Sequence, residues 1–188
     1  VHVRETVVVR LRESLNLPYL APAHRLDRLT AGVLVLTTRP EFRAAYAELF
    51  QRGAVGKVYE AVAPYDPSIE FPCRVQNRLE KRRGSLQVEV LAGEPNAETT
   101  IEVLEVRGHF ARYRLTPATG KTHQLRVHLA GLGLPIVGDP LYPVVQEALG
   151  GDFEHPLQLV ARRLELVDPY EGLSREFSSQ ATLAWPLP

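Results

Sequence analysis

Between Lys57 and Thr116 the chain reads as strand after strand, and that succession leaves few architectures open. Lys57-Val58-Tyr59-Glu60-Ala61-Val62 alternates, with Lys57, Tyr59 and Ala61 on one face and Val58, Glu60 and Val62 on the other. Leu86–Leu91, Thr99–Val106 and Phe110–Thr116 are further strand candidates, separated by turn residues at Gly93, Pro95 and Asn96 and at Gly108. In the last of them Ala111, Tyr113 and Leu115 oppose Arg112 and Arg114. Leu157–Val167 gives a late strand, and the tail to Trp185 has room for another. Strands in runs with few helices between them predict an α+β domain on a mixed, largely antiparallel central sheet with flanking helices, rather than a doubly wound one.

Three segments carry helical spacing. Val8, Leu11 and Leu15 place a short helix over Glu5–Leu15, stopped at Asn16-Leu17-Pro18. Pro40 opens a second, in which Phe42, Ala45, Tyr46, Leu49 and Phe50 form one apolar stripe that Gly53 closes, a stripe expected in the core. Thr122 is the expected cap of a third, with Leu125, Leu129 and Leu132 buried and Gly131 and Gly133 ending it. Val33–Leu36, too short for a helix, reads as a strand covered on both faces.

A chain of 188 residues, 45% of them hydrophobic, can bury one good core, and residues 1–188 read as a single domain with no internal repeat or linker. No apolar run is long enough to cross a bilayer, and Val1-His2-Val3-Arg4 lacks a signal-peptide pattern, so a soluble protein is expected. Cys73 is the single cysteine, which rules out an internal disulfide and a thiolate zinc site and fits a cytoplasmic protein. The formal net charge is zero, but charge is segregated. Arg74, Arg78, Lys81, Arg82 and Arg83 cluster in Cys73–Gly84, whereas Glu147–Glu176 is acidic; both runs also read simply as solvated loops. The chain starts at Val1 and has no methionine, which reads as a piece of a longer product.

Two segments concentrate chemistry. His24-Arg25-Leu26-Asp27-Arg28-Leu29-Thr30-Ala31-Gly32 is a charged loop ending at a buried strand, where a reactive side chain is held rigidly yet accessibly. The plain alternative for Asp27 is a loop salt bridge to Arg25 or Arg28. Thr119-Gly120-Lys121-Thr122-His123-Gln124-Leu125-Arg126-Val127-His128 joins a strand to a helix through a glycine turn. The helix start, with Lys121 and His123 beside it, suits a phosphate. Arg126 lies off the leucine stripe, facing either a cleft or plain solvent.

Taken together, these motifs resemble the RluA family of pseudouridine synthases. The likeness rests on His24-Arg25-Leu26-Asp27-Arg28 with Thr30 and Gly32, on Lys57-Val58-Tyr59-Glu60-Ala61, and on Thr119–Ala130 followed by Gly133 and Pro135–Tyr142, in the family's order. It extends from about Pro18 to Val167. The resemblance implies the family's catalytic fold with a cleft across the sheet, and isomerisation of uridine in structured ribosomal or transfer RNA. It implies Asp27 as nucleophile, Tyr59 as the ring against the target base with a part in proton transfer, and Arg126 paired with Asp27. Arg25 is then expected to hold the opened RNA, and Arg28, Lys57, Lys121 and His123 to contact it. No cofactor and no metal are implied. Attack at sugar C1′, elimination to a glycal and addition at uracil C6 all stay open. Family members usually carry a strand and hairpin with an aspartate-lysine-proline element ahead of the loop, and many add an S4-like domain; neither is visible ahead of Val1.

Two competing readings remain. A metal-dependent hydrolase would use His24, Asp27, His123 and His128, although His123 and His128 are five apart and no His-Glu-x-x-His pattern is present. A non-catalytic RNA-binding module of the same fold would keep the shape without the chemistry. On the residues alone His24 and His128 are expected to be structural and Gly120 and Gly138 to be turn glycines. A monomer is the default oligomeric state, and no membrane partner is expected.

Overall fold

The computed structural model describes residues 6–146 and 156–186. The expected helix start at Glu5 and the acidic positions Glu147, Asp152 and Glu154 lie outside them. In chain order the elements are α1 (Val7–Ser14), β1 (Ala21–Pro22), β2 (Ala31–Gly32), β3 (Leu36–Thr37), a 3-10 turn (Pro40–Phe42) running into α2 (Arg43–Gln51), β4 (Val55–Pro64), β5 (Cys73–Glu80), β6 (Glu89–Leu91), β7 (Ala97–Arg107), β8 (Phe110–Pro117), α3 (Gln124–Gly131), β9 (Leu159–Val167) and β10 (Ser174–Ser178). An eight-stranded sheet runs β10-β9-β4-β8-β7-β5-β6, with β2 added on β9. Every pairing in it is antiparallel except β2 with β9, so the expected mixed, largely antiparallel α+β fold is the one observed.

Register explains where the core sits. Tyr59 pairs with Leu115, Leu115 with Ile101 and Ile101 with Cys73, so one row of side chains crosses four strands on one face. Leu125 and Leu129 of α3, with Leu134, Ile136, Leu157 and Leu159, close over that face, and Ile101, Tyr113, Leu115 and Leu129 are completely buried. Cutting such a residue to alanine costs about 2–5 kcal/mol. On the opposite face Val62 is fully buried, and charged residues pair beside it: Arg162 with Glu60 at 3.0 Å, Arg112 with Glu105 at 3.1 Å and Arg114 with Glu102 at 3.6 Å. These pairs keep that face soluble more than they stabilise it.

Several expectations need correction. Cys73–Glu80, read as a basic loop, is a strand, with Arg74, Gln76, Arg78 and Glu80 on its exposed side and Leu79 buried. Arg74 is paired with Glu98 at 2.5 Å on the sheet face away from α3. Val33–Leu36 is not a doubly covered strand. Regular pairing stops at Gly32 and resumes at Leu36, and Val33 and Val35 are half-buried against Val55, Leu164 and Leu166. The stripe of α2 packs on that same cluster through Tyr46, Leu49 and Phe50, yet no residue of α2 is fully buried. Leu86–Leu91 pairs only from Glu89. The acidic run is locally neutralised between β9 and β10, where Arg175 pairs with Glu171 and lies 3.9 Å from Asp168. No helix among the described residues is long and apolar enough to cross a membrane.

Candidate active site

A cleft of about 660 Å³ opens between the loop Ala23–Thr30, the end of α2 at Phe50 and Gln51, the Lys57 and Tyr59 face of β4, and the stretch from Pro117 to Arg126. The loop is pinned at both ends. Ala21 and Pro22 pair with Thr37 and Leu36, and Ala31 and Gly32 lie parallel to Val160 and Ala161. Gly32 is required there: its φ is +113°, and a Cβ would sit 2.3 Å from the Ala161 carbonyl oxygen. His24 braces the middle, its ring stacked on Phe50 at 4.3 Å and its Nε2 accepting the Val35 N–H at 3.0 Å. Burial lowers the His24 pKa, which fits a neutral, structural imidazole.

Between those anchors Asp27 closes a turn, its carbonyl accepting the Thr30 N–H at 2.9 Å, while its half-buried side chain lines the cleft. Among the described residues no ion pair joins the Asp27 carboxylate to Arg25 or Arg28, so the loop salt bridge is not formed. Tyr59 lines the same cleft, and burial, followed by the charge of Asp27, pushes its phenol up to about 12. That coupling places carboxylate and phenol in one electrostatic neighbourhood.

Arg126 also lines the cleft, but its expected pairing needs correction. It is neither a surface cation nor paired with Asp27: its Nε and Nη2 are taken by Asp139 at 2.8 and 2.5 Å, with 3% of its side chain exposed. The reason is the chain's return after α3. Gly138, with a φ of +74°, turns it, and the N–H groups of Leu141 and Tyr142 hold the Asp139 carboxylate against the helix. The ring of Tyr142 lies 5.2 Å from the same guanidinium.

The cleft gathers Arg25, Lys57 and Lys121 but not Arg28 or His123. Lys57 donates to the Thr119 carbonyl at 3.0 Å, and desolvation lowers its pKa. Thr122 does not cap α3. His123 precedes the helix in the left-handed region, with φ +54° and no side-chain cap. Gln124 orders the turn instead: its Oε1 accepts from Thr119 Oγ1 and the Lys121 N–H, and its Nε2 donates to the Glu98 carbonyl and Thr99 Oγ1. Gly120 is not in the left-handed region, and an added Cβ would meet Lys57 Nζ at 3.5 Å, an ordinary contact. His123 Nδ1 meets Tyr142 Oη at 2.9 Å.

His128 is structural, with Nδ1 on Thr99 Oγ1 at 2.9 Å and Nε2 on Asn77 Oδ1 at 3.0 Å, and burial brings its pKa down to about 4. With both its nitrogens engaged and His24 Nε2 engaged as well, the residues of the metal-hydrolase reading do not form a ligand set. Among the described residues no group of three or more acidic, histidine or cysteine side chains could hold an ion. Asp139, Tyr142 and Gln124 escaped the sequence reading as site residues. The first two lie in the Pro135–Tyr142 motif, but nothing in spacing says which cation a carboxylate will meet.

The family profile described as RNA pseudouridylate synthase matches residues 2–131. An uncharacterized RNA pseudouridine synthase of Haemophilus influenzae is 33% identical over 78% of this chain and 65% of its own length. The dual-specificity RNA pseudouridine synthase RluA of the same organism is 28% identical over 94% of this chain and 80% of its own. Among solved structures, human RNA pseudouridylate synthase domain containing 4 superposes with a TM-score of 0.67 at 27% identity, covering 95% of this chain and 77% of that one. Some curated relatives are much longer, and the chain spans 25% of one human protein that it matches at 33% identity. With the motifs, the fold and the profile in agreement, the chain belongs to the RluA-type RNA pseudouridine synthase family.

Proposed function

We propose that this chain isomerises uridine to pseudouridine in structured ribosomal or transfer RNA, acting as one catalytic domain with Asp27 as the nucleophile. The observation that carries the reading is the meeting of Asp27, Tyr59 and Arg126 along one cleft, with the carboxylate close enough to raise the phenol. The target nucleotide must leave its stack to enter, which costs a few kcal/mol and favours loops or bulges. The bond from sugar C1′ to uracil N1 then breaks, the base turns, C5 joins C1′, the C5 proton leaves and N1 regains one. Atoms and electrons balance with no redox partner, so no cofactor is called for. Attack on C1′, assisted elimination to a glycal and addition at C6 all use the same half-buried carboxylate.

Tyr59, with its phenol at about 12, stays protonated at neutral pH and serves as a ring under the base with a hydroxyl to donate. Arg25, Lys57 and Lys121 line the path of the phosphates, with Arg28 and His123 outside the cleft as peripheral RNA contacts. The protein works in this reading as a cytoplasmic monomer. The test is to incubate it with total RNA from cells lacking it and to map pseudouridine chemically. New pseudouridine at discrete positions supports the proposal, and retained RNA with none at any position favours a binding module.

A further inference from the structure

Asp139 has no part in the reaction scheme, yet its side chain is wholly buried against Arg126 and accepts from Arg126 Nε, Arg126 Nη2 and two backbone N–H groups. A buried ion pair is commonly no more stabilising than a well-packed apolar pair, so stability alone is a poor reason for one here. What a bidentate carboxylate does supply is orientation. With Nε and Nη2 engaged and the Tyr142 ring beside the guanidinium, Nη1 is left with no hydrogen-bond partner among the described residues, on a side chain that lines the Asp27 cleft.

We propose that Asp139 is a positioning residue for the isomerisation, fixing Arg126 so that its Nη1 edge meets an anionic or carbonyl oxygen of the flipped nucleotide. The inference rests on the reading of the cleft as a uridine site. Asp139 acts only through Arg126, so its effect vanishes once the guanidinium is gone. Tyr142 belongs to the same device, since its own N–H helps to hold the Asp139 carboxylate.

The experiment is a double-mutant cycle of Asp139→Asn and Arg126→Gln in the full chain. The probe is total RNA tritiated at uridine C5, with enzyme in excess, and tritium release and filter retention are both read. Asp139→Asn is expected to slow release about thirtyfold or more, with retention within about threefold of wild type, and the double variant to match Arg126→Gln within about threefold. The inference is overturned if Asp139→Asn releases tritium like wild type, if retention falls as far as rate, or if the double variant drops about tenfold below Arg126→Gln. Should Asp139→Asn precipitate, Arg126→Lys is the second variant: it keeps the charge but loses the two-pronged contact with Asp139, and is expected to slow release about tenfold or more with retention within about threefold of wild type, whereas release at the wild-type rate overturns the inference. Failure of wild type to release tritium would instead count against the uridine site itself.

Discussion

Asp27 and Tyr59 divide the labour in a way that their surroundings dictate. Asp27 is half-buried, lines the cleft and carries no ion pair to its loop arginines, which in the proposed reading leaves it to meet the nucleotide. Asp27→Asn is expected to abolish turnover while RNA retention stays near wild type. Tyr59 is held protonated, so Tyr59→Phe should cost about tenfold or less and Tyr59→Ala about a hundredfold or more, measured as single-turnover rates. His128 gives a stability prediction with a definite sign. Its folded pKa of about 4 lies below the ordinary 6.5, so the unfolded chain binds the extra proton. Its contribution is constant above pH 6.5, is lost as pH falls from 6.5 to 4, and amounts to a penalty on the order of 3 kcal/mol below that window. Urea midpoints across that range should fall in wild type and fall less in His128→Gln, whose amide can meet Thr99 and Asn77 without charging.

At the scale of elements, the loop that carries Asp27 is held by two short ladders and the His24 ring between them. Gly32→Ala forces a Cβ onto the Ala161 carbonyl at a φ that disfavours side chains, and should destabilise the chain by about 2–4 kcal/mol. A thermal melt reads this, and activity should fall further than the melt predicts, because the displaced element is the one that presents Asp27. Legibility followed the strength of each element's apolar pattern. β7 and β8 carry alternating apolar residues and were read close to their observed ends, as were β4 and α2. β5 was missed because Arg74, Gln76, Arg78 and Glu80 face solvent while Cys73, Val75 and Asn77 are only half-buried, so its charge was more visible than its period. α3 was read with the wrong cap, since a left-handed His123 and the hydrogen bonds of Gln124 beside it replace the expected Thr122.

For the molecule as a whole, the α+β class with a largely antiparallel sheet was legible because runs of strands admit few packings, and the cleft because three motifs in one family's order converge on it. Side-chain partners across the cleft were not: the sequence pointed to Asp27 as the partner of Arg126, and the turn at Gly138 brings Asp139 there instead. In the proposed reading zero net charge is no obstacle to RNA, because Arg25, Lys57 and Lys121 share one opening. Binding should weaken with salt, and Lys121→Ala should lower the slope of log affinity against log salt by about one, with little change in which RNA is preferred. The chemistry itself is tested most directly by tritium release from RNA labelled at uridine C5, comparing wild type with Asp27→Asn at equal RNA retention. Release by wild type and none by the variant is the expected result; equal release from both would contradict the assignment of Asp27 as the nucleophile.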